Sequence, residues 1–209
     1  MKRRMSLAVF AFALTALTLT SFAQVSETTF NLAAEKKVLS CLSGSNGLSP
    51  LARITVQRGN LNDVLILHAE HLKPNTGFDM FTVQNSNLLS DGTADPNFKN
   101  FGLAWYQSDV QSDSRGNAEV TIKTILLDQI FGFDPVVGLP PTNTFHVGFW
   151  FNNPEDAAAC GFDVTHPTPF NGEHKAGPAA MISLPDPTTN LGPLCTNPEQ
   201  QGTGFVCNP

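Results

Sequence analysis

The sequence predicts an all-β protein, an antiparallel β-sandwich of roughly seven to nine strands with one short helix. Charged residues make up only 14% of the chain, which contains 16 Phe, 16 Gly and 15 Pro residues, a composition typical of strands separated by many turns. Several segments alternate apolar and polar side chains, as strands with one buried face do. No internal repeat or long linker divides the chain, which indicates a single domain.

The first 23 residues have the features of a cleaved secretory signal peptide. Three basic residues precede an uncharged apolar stretch that ends in Ser21, Phe22 and Ala23, the small-x-small pattern of a cleavage site. Cleavage before Gln24 is therefore expected, and with it a secreted or periplasmic location.

Removal of this peptide leaves 9 basic and 18 acidic residues. Nucleic acid is not an expected partner, because the remaining Lys and Arg residues are few and scattered rather than clustered along a phosphate-binding surface. No later stretch is long and apolar enough to predict stable membrane insertion.

Residues 24–50 predict an N-terminal strand and a linker, in which residues 33–39 could form a helical turn. A sandwich domain is expected over residues 51–184, followed by a Pro/Asn/Gly-rich tail over residues 185–209. The strands predicted within the domain cover residues 52–57, 64–71, 78–84, 101–110, 118–127, 144–151 and 179–184. The turn at residues 113–117 predicts that the strands on either side of it form a hairpin.

The domain is organised around residues 64–84, where an apolar run stops at a Lys-Pro-Asn-Thr-Gly corner and a second run follows. Apolar side chains on both faces of the first run predict a central strand that is covered on both sides. The corner resembles the Leu-x-Pro-x-Thr-x-Tyr corner of fibronectin type III domains, with Leu72, Pro74, Thr76 and Phe78 at the four positions. This resemblance implies an immunoglobulin-like sandwich, although Phe78 lacks the hydroxyl group of the family's Tyr.

One helix is predicted at residues 153–161, between the aromatic strand and the following loop. Asn153 is a favoured N-cap, Pro154 suits the first helical position, and Gly161 suits the end.

The four cysteines predict two disulfides, because all of them follow the predicted cleavage site and the destination is oxidising. They are Cys41, Cys160, Cys195 and Cys207. Three connectivities are compatible with four cysteines. The short segment between Cys195 and Cys207 favours their pairing, which leaves Cys41 to pair with Cys160.

No catalytic pattern is present in the sequence. It contains no G-x-S-x-G nucleophile elbow, no phosphate-binding glycine loop and no dinucleotide fingerprint. Paired acids such as Asp109 and Asp113 flank turns, where they are usually solvated. The function favoured by these observations is a secreted, non-enzymatic binding or structural module, with no ligand or protein partner specified.

The histidines provide an alternative, a metal-binding protein. The segment around His146, followed by Cys160, His166 and His174, has spacing similar to the metal loop of copper/zinc superoxide dismutases. The resemblance implies that His146 is a copper ligand, His166 a bridging imidazole and His174 a zinc ligand. Gly148 replaces the second copper ligand, so the resemblance predicts an incomplete zinc or copper site.

Two turns rich in side-chain oxygens make calcium a third candidate metal. The residues concerned are Asp91, Thr93, Asp95 and Asn97 in one turn, and Asp113, Asn117 and Glu119 in the other. Neither turn has the full twelve-residue calcium loop, and such residues also occur in turns for conformational reasons.

Aromatic side chains exposed on the sheet could stack on sugar rings or pack against an extracellular protein partner, and the first of these gives a third function, glycan binding. Trp105 and Tyr106 are the candidate binding residues, and they must point to opposite faces of their strand. Trp150 is expected to belong to the core.

Three segments resemble motifs in a set of uncharacterised secreted bacterial β proteins. They are residues 150–161, 168–180 and 192–194. The resemblance covers about a quarter of the chain and implies secretion and β structure without implying an activity.

Overall fold

A computed structural model describes residues 27–44, 47–59, 62–124, 144–165, 179–195, 198–201 and 204–207. The predicted signal peptide lies outside these residues. The strands are β1 Glu27–Ala33, β2 Leu51–Gln57, β3 Asp63–Glu70, β4 Gly77–Val83, β5 Ala104–Gln111, β6 Ala118–Thr124, β7 Thr144–Phe151, β8 Ala179–Ser183, β9 Leu194–Cys195, β10 Pro198–Gln201 and β11 Gly204–Cys207. The helices are α1 Lys36–Leu42 and α2 Pro154–Ala159.

Most strands belong to one antiparallel sheet with the order β5, β4, β7, β8, β1, β2, β3, β6, and β9 pairs with β7. Strands β10 and β11 form a separate pair. The link between β8 and β1 consists of two residue pairs, Leu32 with Ser183 and Ala33 with Ile182. This short link divides the sheet into a first half (β1, β2, β3 and β6) and a second half (β4, β5, β7 and β8).

The end strands of this order, β5 and β6, lie beside each other, so the sheet nearly closes on itself. The all-β prediction is confirmed. The strands form one nearly closed, barrel-like sheet instead of two clearly separate sheets, so the immunoglobulin-like sandwich remains a prediction.

The hairpin predicted from the turn at residues 113–117 is wrong. Strand β5 pairs with β4, β6 pairs with β3, and no ladder joins β5 to β6 in the described part of the chain. The turn itself forms, with the N–H of Asp113 donating to the carbonyl of Asn117 at 2.7 Å. Local turn residues therefore specify the reversal of the chain, but the partner of each strand is chosen by long-range packing.

The core lies between the two halves. Ala52, Ile54 and Val56 of β2 are buried, as their alternation predicts. On β3 the opposite face is only half-buried at Ile66 and exposed at His68. The prediction that this strand is covered on both sides is therefore wrong.

Strands with both faces buried occur instead in the second half of the sheet. Every residue of β7 and β8 is buried, as is all of β4 after Gly77. A second apolar cluster covers their outer face, where the ring of Trp150 lies 5.4 Å from that of Phe81 and 5.0 Å from that of Phe101. The loop that contains Phe101 therefore serves as a lid over these strands.

Two crossings between the halves lie within the described residues: residues 71–76 connect β3 to β4, and residues 112–117 connect β5 to β6. The first is the predicted corner. The crossings are bonded to each other, since the N–H of Leu72 donates to the carbonyl of Gly116 at 2.9 Å. Gly116 has φ +83°, and a Cβ at this position would overlap the carbonyl oxygen of Leu72.

Ser112 is the second link between the crossings. Its buried hydroxyl accepts from the N–H of Thr76 at 2.9 Å and donates to the carbonyl of Lys73 at 2.7 Å. The N–H of Ser112 donates in turn to the carbonyl of Thr76 at 3.1 Å. We call this set of bonds between residues 71–76 and 112–117 the crossing clasp.

Helix α2 begins as predicted, with Asn153 Oδ1 accepting from the N–H of Glu155 at 2.9 Å. Helix α1 overlaps the possible helical turn at residues 33–39, in the region expected to be strand and linker, and extends beyond it to Leu42. A disulfide between Cys41 and Cys160 joins α1 to the end of α2, which confirms this predicted pair.

Cys195 is also disulfide-bonded. The side chain of its predicted partner, Cys207, lies outside the described part of the structure, so that pairing stays a prediction. Neither helix in the described ranges has the length and apolar character needed to span a membrane.

We predict that Gly116→Ala destabilises the protein by at least about 3 kcal/mol, because the new Cβ combines an unfavourable positive φ with a clash inside the clasp. Gly92→Ala is the matched control. Gly92 has φ +78°, but a Cβ there meets nothing within 4 Å, so this variant should lose only about 1–2 kcal/mol. Urea titration gives both free energies of unfolding, and equal losses would contradict a special role for Gly116.

Removal of the disulfide by the double substitution Cys41→Ser and Cys160→Ser should lower the free energy of unfolding by up to about 5 kcal/mol. The two cysteines are 119 residues apart in the chain, and a long closed loop restricts the unfolded state strongly. Denaturant unfolding of the double variant, compared with the native protein under non-reducing conditions, checks this. An unchanged transition would show that the disulfide is dispensable for stability.

Candidate functional site

His146 lies in the buried strand β7, opposite Val83 of β4, and only 3% of it is exposed. Its Nδ1 atom is 3.0 Å from both the backbone oxygen and the hydroxyl oxygen of Ser183, at the end of β8. A carbonyl oxygen can only accept a hydrogen bond, so Nδ1 carries the proton and donates. The lone pair of the imidazole is therefore on Nε2.

Ser183 also fixes the backbone beside the imidazole, because its hydroxyl accepts from the N–H of Val147 at 3.1 Å. Burial is the main influence on the imidazole and lowers the pKa of His146 from 6.5 to about 4, against a smaller opposite effect of the Ser183 backbone. The ring is therefore neutral at physiological pH.

A cavity of about 370 Å³ lies beside His146. Its walls come from residues 84–100, which follow β4, and residues 185–192, which follow β8, while Thr144 and His146 contribute from the start of β7. These segments meet because the ends of β4 and β8 and the start of β7 lie at one end of the antiparallel sheet.

The imidazole of His146 lines this cavity, and Nε2 is its second ring nitrogen. Nε2 has no hydrogen-bond partner among the described residues, and it is not among their fully buried unpaired atoms. The site therefore presents one positioned acceptor on an otherwise buried side chain.

The first wall of the cavity is held by bonds within its own loop. Oε1 of Gln84 accepts from the N–H of Leu103 at 2.8 Å, and the N–H of Asp95 donates to the carbonyl of Asn87 at 2.9 Å. The half-buried ring of Phe98 lies 4.7 Å from that of Phe101, which is part of the lid. The wall is thus formed by ordered loop contacts before any ligand arrives.

The second wall packs directly on the imidazole. A Cβ on Gly192 would overlap the carbonyl oxygen of Phe145 and would lie 3.1 Å from Cδ2 of His146, so only glycine allows this approach. The turn leading to it is closed by Asp186, whose Oδ1 accepts from the N–H of Thr189 at 2.8 Å. The backbone N–H groups of Thr189 and its neighbour lower the pKa of Asp186.

The charged residues that line the cavity are one acid, Asp95, and one base, Lys99. Oδ1 of Asp95 accepts from the N–H of Asn97 at 2.8 Å and so stabilises the loop. The other polar lining side chains are neutral, and several are amides. The local charge is therefore balanced.

The remaining histidines of the predicted metal site, His166 and His174, lie outside the described residues. Within the described ranges, no group of three or more His, Cys, Asp or Glu side chains could hold a metal ion. The zinc or copper site built on His146, His166 and His174 stays a prediction.

Trp105 and Tyr106 point in opposite directions from β5, and neither lines the cavity. Trp105 is half-buried against the core, with its ring 6.2 Å from that of Phe145. Tyr106 is 55% exposed, and its hydroxyl donates to Oδ1 of Asp109 at 2.8 Å. Partial burial, the main cause, and this hydrogen bond, the second, raise the pKa of Tyr106 to about 12.

The oxygens of the two predicted calcium turns stabilise the turns themselves. Oδ1 of Asp91 accepts from the N–H of Thr93 at 2.9 Å and from its hydroxyl at 2.6 Å. Oδ1 of Asp113 accepts from the N–H of Asn117 at 2.8 Å. These bonds lower the pKa of both carboxyl groups, and calcium binding stays a prediction.

Two other depressions have volumes of about 460 and 660 Å³, one where β3 and β6 meet the crossing at residues 112–117 and the other along β1, β2 and β3. His68 lines both, and its contact with Glu119 at 3.5 Å joins side chains that are 54% and 69% exposed. They are solvated surface groups, so the cavity beside His146 is the stronger candidate site.

Comparisons with known proteins do not assign a role to this cavity. The chain matches no family model, no curated protein and no solved structure. The candidate site therefore depends on the geometry of His146 and its surroundings.

Sequence reasoning did not identify most of the residues that line the cavity. Only His146 and the turn residues Asp95 and Asn97 were candidates, and they were assigned to different metal sites. No sequence pattern marks Asn190 and Gly192 as site residues, because they are single residues in a loop whose position depends on where β8 ends.

We predict that the stability of the native protein falls as the pH decreases from 6.5 toward 4, with a contribution of up to about 3 kcal/mol from His146. Its pKa is lower in the folded state, at about 4, than its ordinary value of 6.5, so the unfolded chain binds a proton that the folded chain excludes. This stability is complete above pH 6.5 and is lost on acidification. Urea titrations across this range measure it.

The substitution His146→Gln should remove this component of the pH dependence, whereas His68→Gln should retain it because His68 is exposed. Identical pH profiles for the native protein and the His146 variant would show that His146 is not responsible.

Proposed function

We propose that this chain is a secreted, non-enzymatic binding module whose ligand site is the cavity beside His146. The observation that carries the proposal is the nearly buried imidazole of His146, which lines a polar cavity, is held through Nδ1 by Ser183 and has no hydrogen-bond partner at Nε2 among the described residues. A ligand that donates a hydrogen bond to this nitrogen would gain about 0.5–1.5 kcal/mol net of the exchange with water.

Two features support secretion. The first 23 residues have the pattern of a signal peptide, and the disulfide between Cys41 and Cys160 is compatible with an extracellular location.

The electrostatics of the cavity favour binding over acid-base catalysis. A general base is most effective when its pKa lies near the working pH, whereas burial lowers the pKa of His146 to about 4. The nearby carboxylate of Asp95 is engaged in its own turn. The group that reaches the cavity is therefore a neutral hydrogen-bond acceptor.

A metal ion is a second candidate ligand, supported by the same imidazole. A histidine that donates through one ring nitrogen to a backbone carbonyl commonly binds metal through the other. The described residues do not supply the remaining ligands, and His166 and His174 are the residues predicted to supply them.

We expect a thermal-shift screen of the mature protein to find a ligand class that raises Tm by about 5–10 °C at 100-fold excess over Kd. The panel contains neutral sugars, carboxylic acids, amino acids, inorganic phosphate, and zinc, copper and calcium ions. The shift should be lost in His146→Gln and retained in His68→Gln, since His68 lies on the opposite half of the sheet.

Two outcomes would overturn the proposal. One is a panel in which no compound gives a shift that depends on His146, and the other is catalytic turnover that is abolished by a single substitution. If only zinc or copper raises Tm, and the rise disappears in His146→Gln, the ligand of the site is the metal ion and not an organic molecule.

A further inference from the structure

The cavity beside His146 has the chemistry of a site for a neutral, hydroxyl-rich ligand. Its positioned group is an acceptor without charge, because Nδ1 donates to the carbonyl of Ser183. An acceptor of this kind pairs with an O–H or N–H donor and gives no favourable interaction to a carboxylate or phosphate oxygen. The ligand atom that meets Nε2 must therefore be a donor.

The amide side chains near the mouth can bond both donors and acceptors. Asn97 and Asn190 line the cavity and are exposed, and their side-chain amides have no hydrogen-bond partner within the described ranges. A hydroxyl group both donates and accepts, so it can bond either end of an amide. Several hydroxyls on one small molecule would match this set.

The charges of the cavity argue against an ionic ligand. Asp95 and Lys99 are the charged lining residues, and their opposite signs balance each other. A site for an anion or cation would carry an excess of the opposite charge to offset the loss of hydration. No such excess is present in the described lining.

An apolar surface completes the site. Phe98 is half-buried and contributes to the wall, together with Leu88 and Leu191. A sugar ring presents hydroxyls at its edge and C–H groups on its face, so it can use polar and apolar walls together. The volume of about 370 Å³ is at the small end of the range for small-molecule sites.

We infer that this cavity binds a neutral monosaccharide or disaccharide, with one ring hydroxyl donating to Nε2 of His146. The inference rests on the proposed function and specifies its ligand class. It places glycan recognition at the loop end of the sheet and not on the exposed aromatic residue Tyr106.

The experiment is a calorimetric titration of the mature protein with neutral hexoses, N-acetylhexosamines and their disaccharides. We expect at least one of them to bind, with a Kd that changes little between low and high salt because no ion pair forms. His146→Phe keeps a ring of similar size without an acceptor and should weaken binding about tenfold, the effect of one hydrogen bond. Asn97→Ala should also weaken binding, whereas Asn31→Ala on the opposite half should not.

A series of monodeoxy analogues of the bound sugar identifies the hydroxyl on His146. Removal of that hydroxyl should weaken binding about tenfold to the native protein and leave the affinity for His146→Phe unchanged, because the bond is already absent there. Equal effects on both proteins for every analogue would overturn the contact. If His146→Phe does not fold, Asn97→Ala and the analogue series on the native protein still test the site.

Different results would overturn the sugar inference and the proposed function. Binding of a carboxylate, of phosphate or of a metal ion that depends on His146, without sugar binding, would overturn the sugar inference and leave the binding site in place. Absence of any binding that depends on His146 would overturn both.

Discussion

The structure depends on the hydrogen bonds of the crossing clasp, which join residues 71–76 to residues 112–117. Each segment carries the chain from one half of the sheet to the other, so the clasp sets the position of the halves relative to each other. Ser112 is effective because one buried hydroxyl serves two backbone groups of the other crossing. Gly116 allows the two backbones to approach within hydrogen-bond distance. Strands β5 and β6 lie beside each other at the two ends of the sheet, but each forms its ladder with a strand of its own half, β4 and β3 respectively.

The clasp and the cavity lie at different parts of the second half, and β4 connects them. Residue 77 follows the first crossing, while Gln84, directly after β4, begins the cavity wall. Both faces of β4 and β7 are buried, so these strands cannot shift without opening two apolar clusters. A site at the end of such strands is preorganised, and less conformational entropy is lost when a ligand binds. The aromatic contacts of Trp150 extend this rigidity to the loop that forms the first wall.

Local patterns in the sequence predict local structure well in this chain. The alternation of β2, the cap at Asn153 and the corner after β3 each depend on residues close in sequence, and all three are present. The Cys41–Cys160 pair was reached by elimination. Strand pairing was not predictable, because β5 and β6 have a good turn between them and yet pair elsewhere. The cavity was not predictable for the same reason, since its walls come from two loops that are brought together only by the order of β4, β7 and β8.

His146 shows how burial changes the meaning of a residue that sequence alone suggests. In the sequence it is one of five histidines, and its spacing to Cys160 suggested a metal. In the fold it occupies a position where an apolar side chain would avoid the loss of hydration that a polar ring suffers. Ser183 offsets this loss at Nδ1, but no residue in the described structure does so at Nε2. A polar group that is compensated on its inner side and left open toward a cavity is a poor choice for stability alone. It is a suitable choice for recognition, because the bond left unmade in the protein is the one that a ligand can supply.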